Sequence, residues 1–194
     1  MAKIKHTKNE LKAQKEALTR FERFLPMLQL KKQQLQSEIA MIDAGLAENR
    51  KQDEALRAEL KAWVALFAEP AGIEDILGMP EADKEEGNIA GVPIPMLKGV
   101  TQATADYDLY ETPAWVDDAV ETVGKLTELR VEREVLDEQK RLIGEELRTT
   151  SQRVNLFEKV KIPDCRENIR VIKIFLGDEQ TAAVARAKIA KSRD

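Results

Sequence analysis

Few side chains in this 194-residue chain have the type or spacing for covalent chemistry. Cys165 is the only cysteine and His6 the only histidine. A zinc site needs three or four such ligands, and an activated thiol needs a base beside it; neither can be assembled from one residue of each kind. Glu85-Glu86 and Asp117-Asp118 are adjacent carboxylates. Neighbours in a loop or on a helix point in different directions, so they read as solvated surface. There is no Gly-rich phosphate loop and no Ser/His/Asp set. The sequence therefore predicts no catalytic, cofactor-binding or metal-ligating residue, and a chain that is not an enzyme by itself. A lone cysteine excludes an intrachain disulfide and points to a reducing compartment.

What the spacing does specify is helix pairing. Apolar residues recur on a seven-residue beat from Leu11 to Phe67. One series runs Leu11, Leu18, Leu25, Lys32, Ile39, Leu46, Asp53, Leu60, Phe67; the other runs Gln14, Phe21, Leu28, Leu35, Ile42, Asn49, Leu56, Trp63. Thirteen of these seventeen positions are apolar, which is a coiled-coil seam. A helix over that span would be roughly 90 Å long, more than a compact domain needs. Charged residues at 34% and aromatics at 5% suit long solvated helices.

The fold class read from this pattern is all-α: a long antiparallel two-helix coiled coil with a small acidic head. Residues 7–69 form the first helix, capped near Thr7–Asn9 and stopped by Glu69-Pro70-Ala71-Gly72. Residues 70–112 form the head, with one short helical turn over Ile73–Leu77, an acidic loop over Glu81–Gly87 and a hairpin at about 88–103. In that hairpin Val92, Ile94 and Met96 alternate with Pro93 and Pro95, so the strand must be an edge. Residues 113–190 form the second helix, capped by Thr112 with Pro113 at its first position. Its seam reads Ala119, Leu126, Leu129, Leu136, Ile143, Leu147, Val154, Phe157. After Ile162-Pro163 the phase moves by one residue, to Cys165, Ile169, Ile172 and Leu176, as a proline kink would produce. Cys165 is then a small seam residue, not a nucleophile.

Two such helices must fold back on each other, each having only the other to cover its stripe. Pairing residue i with 189 − i puts Pro26 level with Pro163, Asp53 near Arg133 and Lys140, and Lys32 near Glu158. Off the seam, Val116, Val120, Val123, Val131, Val135 and Leu142 form a second stripe. Its part from Val131 to Leu142, and so Val131, Val135 and Leu142, is expected to lie uncovered by this chain, either as a partner's docking face or as a few exposed valines.

Charge is segregated. Residues 1–23 hold seven Lys/Arg against three Glu, and residues 182–194 hold four against Asp194, whereas residues 69–122 hold thirteen acids against Lys84 and Lys98. Basic ends can contact nucleic acid, but no aromatic residues interleave with them, so no nucleic-acid partner is expected. The lysine-rich start lacks the apolar run of a secretory signal, and no stretch approaches twenty apolar residues, so no membrane span is expected.

Three segments resemble the D subunit of the V-type/A-type rotary ATPases. Ser151-Gln-Arg-Val-Asn-Leu-Phe-Glu-Lys-Val-Lys-Ile-Pro is similar to the family's R-R-V-N-A-L-E…I-P signature. Asn88-Ile-Ala-Gly-Val-Pro-Ile-Pro resembles its N-[IV]-A-G-V hairpin. Thr7-Lys-Asn-Glu-Leu and Met27-Leu-Gln-Leu-Lys-Lys-Gln-Gln-Leu resemble T-K-x-E-L and L-L-K-x-K-R-D-x-L. Gln152, Gln33, Gln34 and Pro26 depart from the pattern and imply a divergent, bacterial-like branch. The resemblance implies a central stalk carrying torque between a catalytic A/B-type hexamer and a membrane rotor that moves protons or sodium ions. Its implied partners are that hexamer, a small F subunit of the stalk docked on the coiled coil, and a membrane-rotor adaptor at the head. It implies a cytoplasmic position, peripheral on the membrane. On this view Lys8, Lys12, Lys15, Arg153, Arg166, Arg186 and Lys188 are the tip residues that contact the stator. The shaft itself is the seam of Leu18, Phe21, Leu25, Leu28, Leu35, Ile39, Ile42, Leu46, Leu56, Leu60, Leu136, Ile143, Leu147, Val154 and Phe157.

Two other readings compete. A prefoldin-like chaperone also sets a hairpin between long helices, but needs apolar tips where this chain is basic and alanine-rich. A generic coiled-coil adaptor explains the heptads but not the signature segments. The γ subunit of F-type synthases would need a larger insertion than the 45 or so residues between these helices.

Overall fold

The computed structural model describes residues 4–68, 76–107 and 112–192. The first helix, α1, runs from Lys8 to Leu60. Its start is capped as the residue types require: the Glu10 amide donates to Thr7 Oγ1 at 3.2 Å. The α-helix stops seven residues short of Phe67. It tightens through bonds such as Trp63 N–H to Leu60 O into a 3₁₀ turn over Val64–Ala68. The expected stop at Glu69–Gly72 and most of the expected turn at Ile73–Leu77 lie outside the described residues.

The acidic segment expected as a loop is a strand. β1 spans Leu77–Ile89 and pairs antiparallel with β2, Val92–Thr104. The turn is Ala90-Gly91, both with positive φ (51° and 80°), the two-residue geometry whose twist suits a hairpin. Asn88 Oδ1 accepts from Gly91 N–H at 2.9 Å and closes it. Cross-strand contacts, among them the 2.8 Å Lys98–Glu85 pair, carry the acidic strand. Composition alone reads those residues as solvated coil. With two strands of 13 residues, "all-α" is loose: the fold is mostly helical with one long hairpin.

The second helical stretch comprises α2 (Trp115–Leu156), a π-helical turn (Phe157–Lys161) and α3 (Ile162–Lys191). α2 begins two residues after the expected Pro113.

The chain divides into two compact units. One is residues 34–147, the other residues 1–33 together with 148–194. In the first, β2 lies against both helices. Val92 and Ile94 are buried with Leu35, Ile42, Leu46 and Ile143, and Ile39, Leu136, Leu142 and Leu147 pack around them. Gln139 Nε2 donates to Pro95 O at 2.6 Å. Met96, the third of the apolar residues that alternate with the prolines, is 45% exposed. Aromatic rings close the unit at another level, Phe67 against Trp63 and Trp115 with centroids 5.6 and 5.5 Å apart.

In the second unit Phe157 of the π turn meets Phe21 of α1 at 4.9 Å, and His6, just before α1, meets Phe175 of α3 at 4.8 Å. Ile162, Cys165, Ile169 and Ile172 are buried here. From Gly177 to Ser192 every residue is exposed.

In both units the contacts correct the expected register. Asn49 meets Leu129 and Arg133, Asp43 meets Lys140, and Phe21 meets Phe157. Residue i thus faces roughly 182 − i, one heptad from the expected 189 − i. A slip of one heptad lays seam on seam again, so periodicity cannot tell the two apart. Pro26 is therefore not level with Pro163, and among the described residues Lys32 makes no ion pair with Glu158.

Ile94 is 2% exposed, so docking of the hairpin should be part of the global fold. Ile94→Ala is expected to lower unfolding free energy by roughly 3 kcal/mol, with Met96→Ala within about 0.5 kcal/mol of the parent, measured by urea denaturation.

Candidate functional surfaces

The seam residues named from the sequence fall in two grades of burial. Leu35, Ile42, Leu46, Ile143 and Val154 are buried. Leu18, Phe21, Leu25, Leu28, Ile39, Leu56, Leu60, Leu136, Leu147 and Phe157 are half-buried, because one partner helix covers only part of a side chain's circumference. Burial is deepest where the hairpin adds a third layer.

One polar cluster interrupts the seam within residues 34–147. Asn49, 3% exposed, donates through Nδ2 to Leu129 O at 2.9 Å and to Glu132 Oε2 at 2.8 Å. Its Oδ1 accepts from Arg133 Nε at 3.1 Å. Arg133 Nη2 lies 3.5 Å from Asp53 Oδ2, which also accepts from Arg57 Nε at 2.9 Å. Asp53 thus faces Arg133, one of its two expected partners; Lys140 pairs with Asp43 instead, at 2.6 Å. The Arg57 hydrogen bond, opposed by desolvation and aided by the charges of Arg57 and Arg133, holds the Asp53 carboxyl below its ordinary value. Sequence reasoning singles out Asp53 and gives Asn49 no role beyond its place in the seam. The available signal was an amide at a seam position, a residue type that fixes register because any slip strands its hydrogen bonds.

The stripe of Val131, Val135 and Leu142 is not left open by this chain. Val135 is 3% exposed, Val131 is half-buried, and Leu142 packs against the core cluster that holds Val92 and Ile94. The hairpin is longer than expected, and its buried Val92 and Ile94 belong to the cluster that covers Leu142. Beside it is a recess of about 760 Å³ between α1, β2 and α2. Its lining includes Ala55, Leu56, Leu97, Val100, Leu129 and, at its rim, Lys125 and Glu128.

The basic residues expected at a tip all belong to the unit that holds both chain ends. Lys8, Lys12, Lys15, Arg153, Arg166, Arg186 and Lys188 are exposed. Two are engaged: Lys12 lies 3.9 Å from Glu16, and Arg166 reaches across to Glu22 at 2.8 Å. Cys165 is buried in the seam. Burial and then the Asp164 carboxylate push its thiol above the ordinary value, away from the reactive thiolate. Among the described residues no group of His, Cys, Asp and Glu could hold a metal ion, and no helix is long and apolar enough to cross a membrane.

A family model for the ATP synthase D subunit matches residues 10–192. The chain belongs to the ATP synthase D-subunit family. It is 45% identical over 192 residues to the V-type ATP synthase D subunit of Borreliella burgdorferi, covering 99% of this chain and 95% of that protein. The D subunits of Chlamydia muridarum and Chlamydia trachomatis serovar L2 are 36% and 35% identical over 195 residues, each covering 99% of this chain and 96% of the relative. The D subunit is a component of the central stalk, and neither the chaperone nor the generic adaptor reading is favoured beside this match.

The Asp53 bridge has a testable pH signature. A depressed carboxyl contributes stability above the ordinary carboxylate range and loses it as pH falls through the depressed value. Asp53→Asn should cost about 1 kcal/mol at pH 7, and the difference in thermal midpoint from the parent should shrink as pH falls through the depressed carboxyl value. Asn49→Ala, which leaves Arg133 Nε without its acceptor and Glu132 without this donor, should cost more, about 2 kcal/mol, at either pH.

Proposed function

We propose that this chain is the non-catalytic, torque-carrying rotor shaft of a V-type/A-type ATPase, coupling a catalytic A/B-type hexamer to a proton- or sodium-translocating membrane ring. The match over nearly the whole length of D-subunit chains carries this reading. The paired seams support it physically. Torque applied to one helix is resisted by its partner only where side chains interlock, and half-buried or buried seam residues recur through both units.

On this reading the unit bearing both chain ends enters the hexamer. Its exposed Lys8, Lys12, Lys15, Arg153, Arg166, Arg186 and Lys188 meet the stator walls. Hydrated basic side chains suit a surface that must touch each wall in turn without adhering to one. The unit bearing the hairpin faces the membrane-rotor adaptor, and the protein lies in the cytoplasm, peripheral on the membrane through its complex. The small F subunit of the stalk docks on the coiled coil beside the hairpin. With Val135 and Leu142 occupied within the chain, the recess next to them is the apolar surface left for it.

Two measurements test this. Co-expressed with the hexamer subunits, the chain should enter the ring at one copy; a chain that stays apart and instead suppresses aggregation of unrelated unfolded proteins would be a chaperone. Ala55→Glu and Val100→Glu, at the recess, should weaken binding of the F subunit at least about tenfold by calorimetry without lowering thermal stability. Unchanged affinity would move the docking site elsewhere.

A further inference from the structure

Along α2 the inward residues step by four and three, Ile143, Leu147, Thr150, Val154, Phe157, and along α3 they step again by three and four, Ile162, Cys165, Ile169, Ile172. Only the step from Phe157 to Ile162 is five. The π turn absorbs this single extra residue, with the Ile162 amide donating to Phe157 O, five residues back. The seams on either side are consequently in phase with each other, and the inserted residue is not needed to keep them so.

The same level is poor in hydrogen bonds and in packing. Pro163 has no N–H to donate into the turn, and Pro26, inside α1, leaves the Glu22 carbonyl without its helical donor. Phe21 against Phe157, and Glu22 against Arg166, place the Pro26 gap within about one helical turn of the π turn. No residue from Asn155 to Lys161 is buried, and none from Lys8 to Gln34 on the facing helix. Both hydrogen-bond ladders are thus interrupted near one height, beside a run of seven residues, Asn155 to Lys161, none of which is buried.

We propose that this level, the π turn of Phe157–Lys161 together with Pro26 on the facing helix, is a twist-compliant joint in the coiled coil. Its π turn is a removable one-residue insertion. The local claim stands on the helix pair alone; use of the joint during rotation rests on the shaft reading above.

The full-length chain allows a direct test. Hydrogen exchange of the amides of residues 158–162 and 164 should be about tenfold faster than in the flanking turns. Deleting Lys159 in a Pro26→Ala background should slow that exchange to the flanking rate without lowering the thermal midpoint. Deleting Ser37 from α1, where no insertion can compensate, should lower the midpoint by about 5–10 °C. Exchange at the turn no faster than its surroundings, or a Lys159 deletion as damaging as the Ser37 deletion, would overturn the joint. In the assembled ATPase the stiffened variant should still join the ring and hydrolyse ATP while pumping ions several-fold more slowly. Unchanged pumping would overturn a role in rotation. A parent chain that never enters the ring would instead defeat the shaft reading, leaving the exchange result to stand or fall separately.

Discussion

A helix with one partner must keep its apolar stripe facing that partner for its whole length, and nearly every feature of this protein follows from that constraint. An α-helix drifts by about 20° per heptad against a seven-residue repeat, so the pair must supercoil to stay in phase. Here α1 keeps its beat through 53 residues, while the returning helix takes up one extra residue in the π turn at Phe157–Lys161. Constraint and exception together set where the protein is stiff and where it yields.

The same constraint shows why the heptad pattern was legible and the register was not. Leu35, Ile42, Leu46, Ile143 and Val154 announce themselves by spacing alone, and they are the residues that burial marks. Slipping one helix by seven residues leaves each of them facing another apolar side chain, so the energy difference between registers lies in the few positions that are not apolar. Asn49 with Leu129, Glu132 and Arg133, and Asp43 with Lys140, are satisfied only in the observed alignment. Alignment of the two prolines is a weaker guide, since a proline's missing amide needs room but names no partner.

The hairpin is harder to read for a different reason. Glu81–Gly87 has the composition of a solvated loop, and helix-style periodicity says nothing about it. Strand formation there depends on β2 supplying cross-strand partners and on Val92 and Ile94 finding the Leu35–Ile143 cluster. Those are tertiary facts, invisible in a window of local sequence. They also change the surface: Leu142 packs against the cluster that holds the hairpin's Val92 and Ile94, Val135 is buried, and an apolar recess lies at Ala55, Leu97 and Val100.

The two units meet the burial problem in different ways. Residues 34–147 add a third layer and bury Leu35, Val116 and Ile143 completely; among the described residues the unit with the chain ends has only a helix pair, and from Gly177 to Lys191 a single helix with every residue exposed. A helix without a partner survives on propensity and side-chain charge, which is where Ala182, Ala183, Ala185, Ala187 and Ala190 are informative: alanine has the highest intrinsic helix propensity. It also keeps the diameter small. The exposed end of α3 is thus built to stay helical and thin without a neighbour among the described residues, a requirement that no globular core imposes.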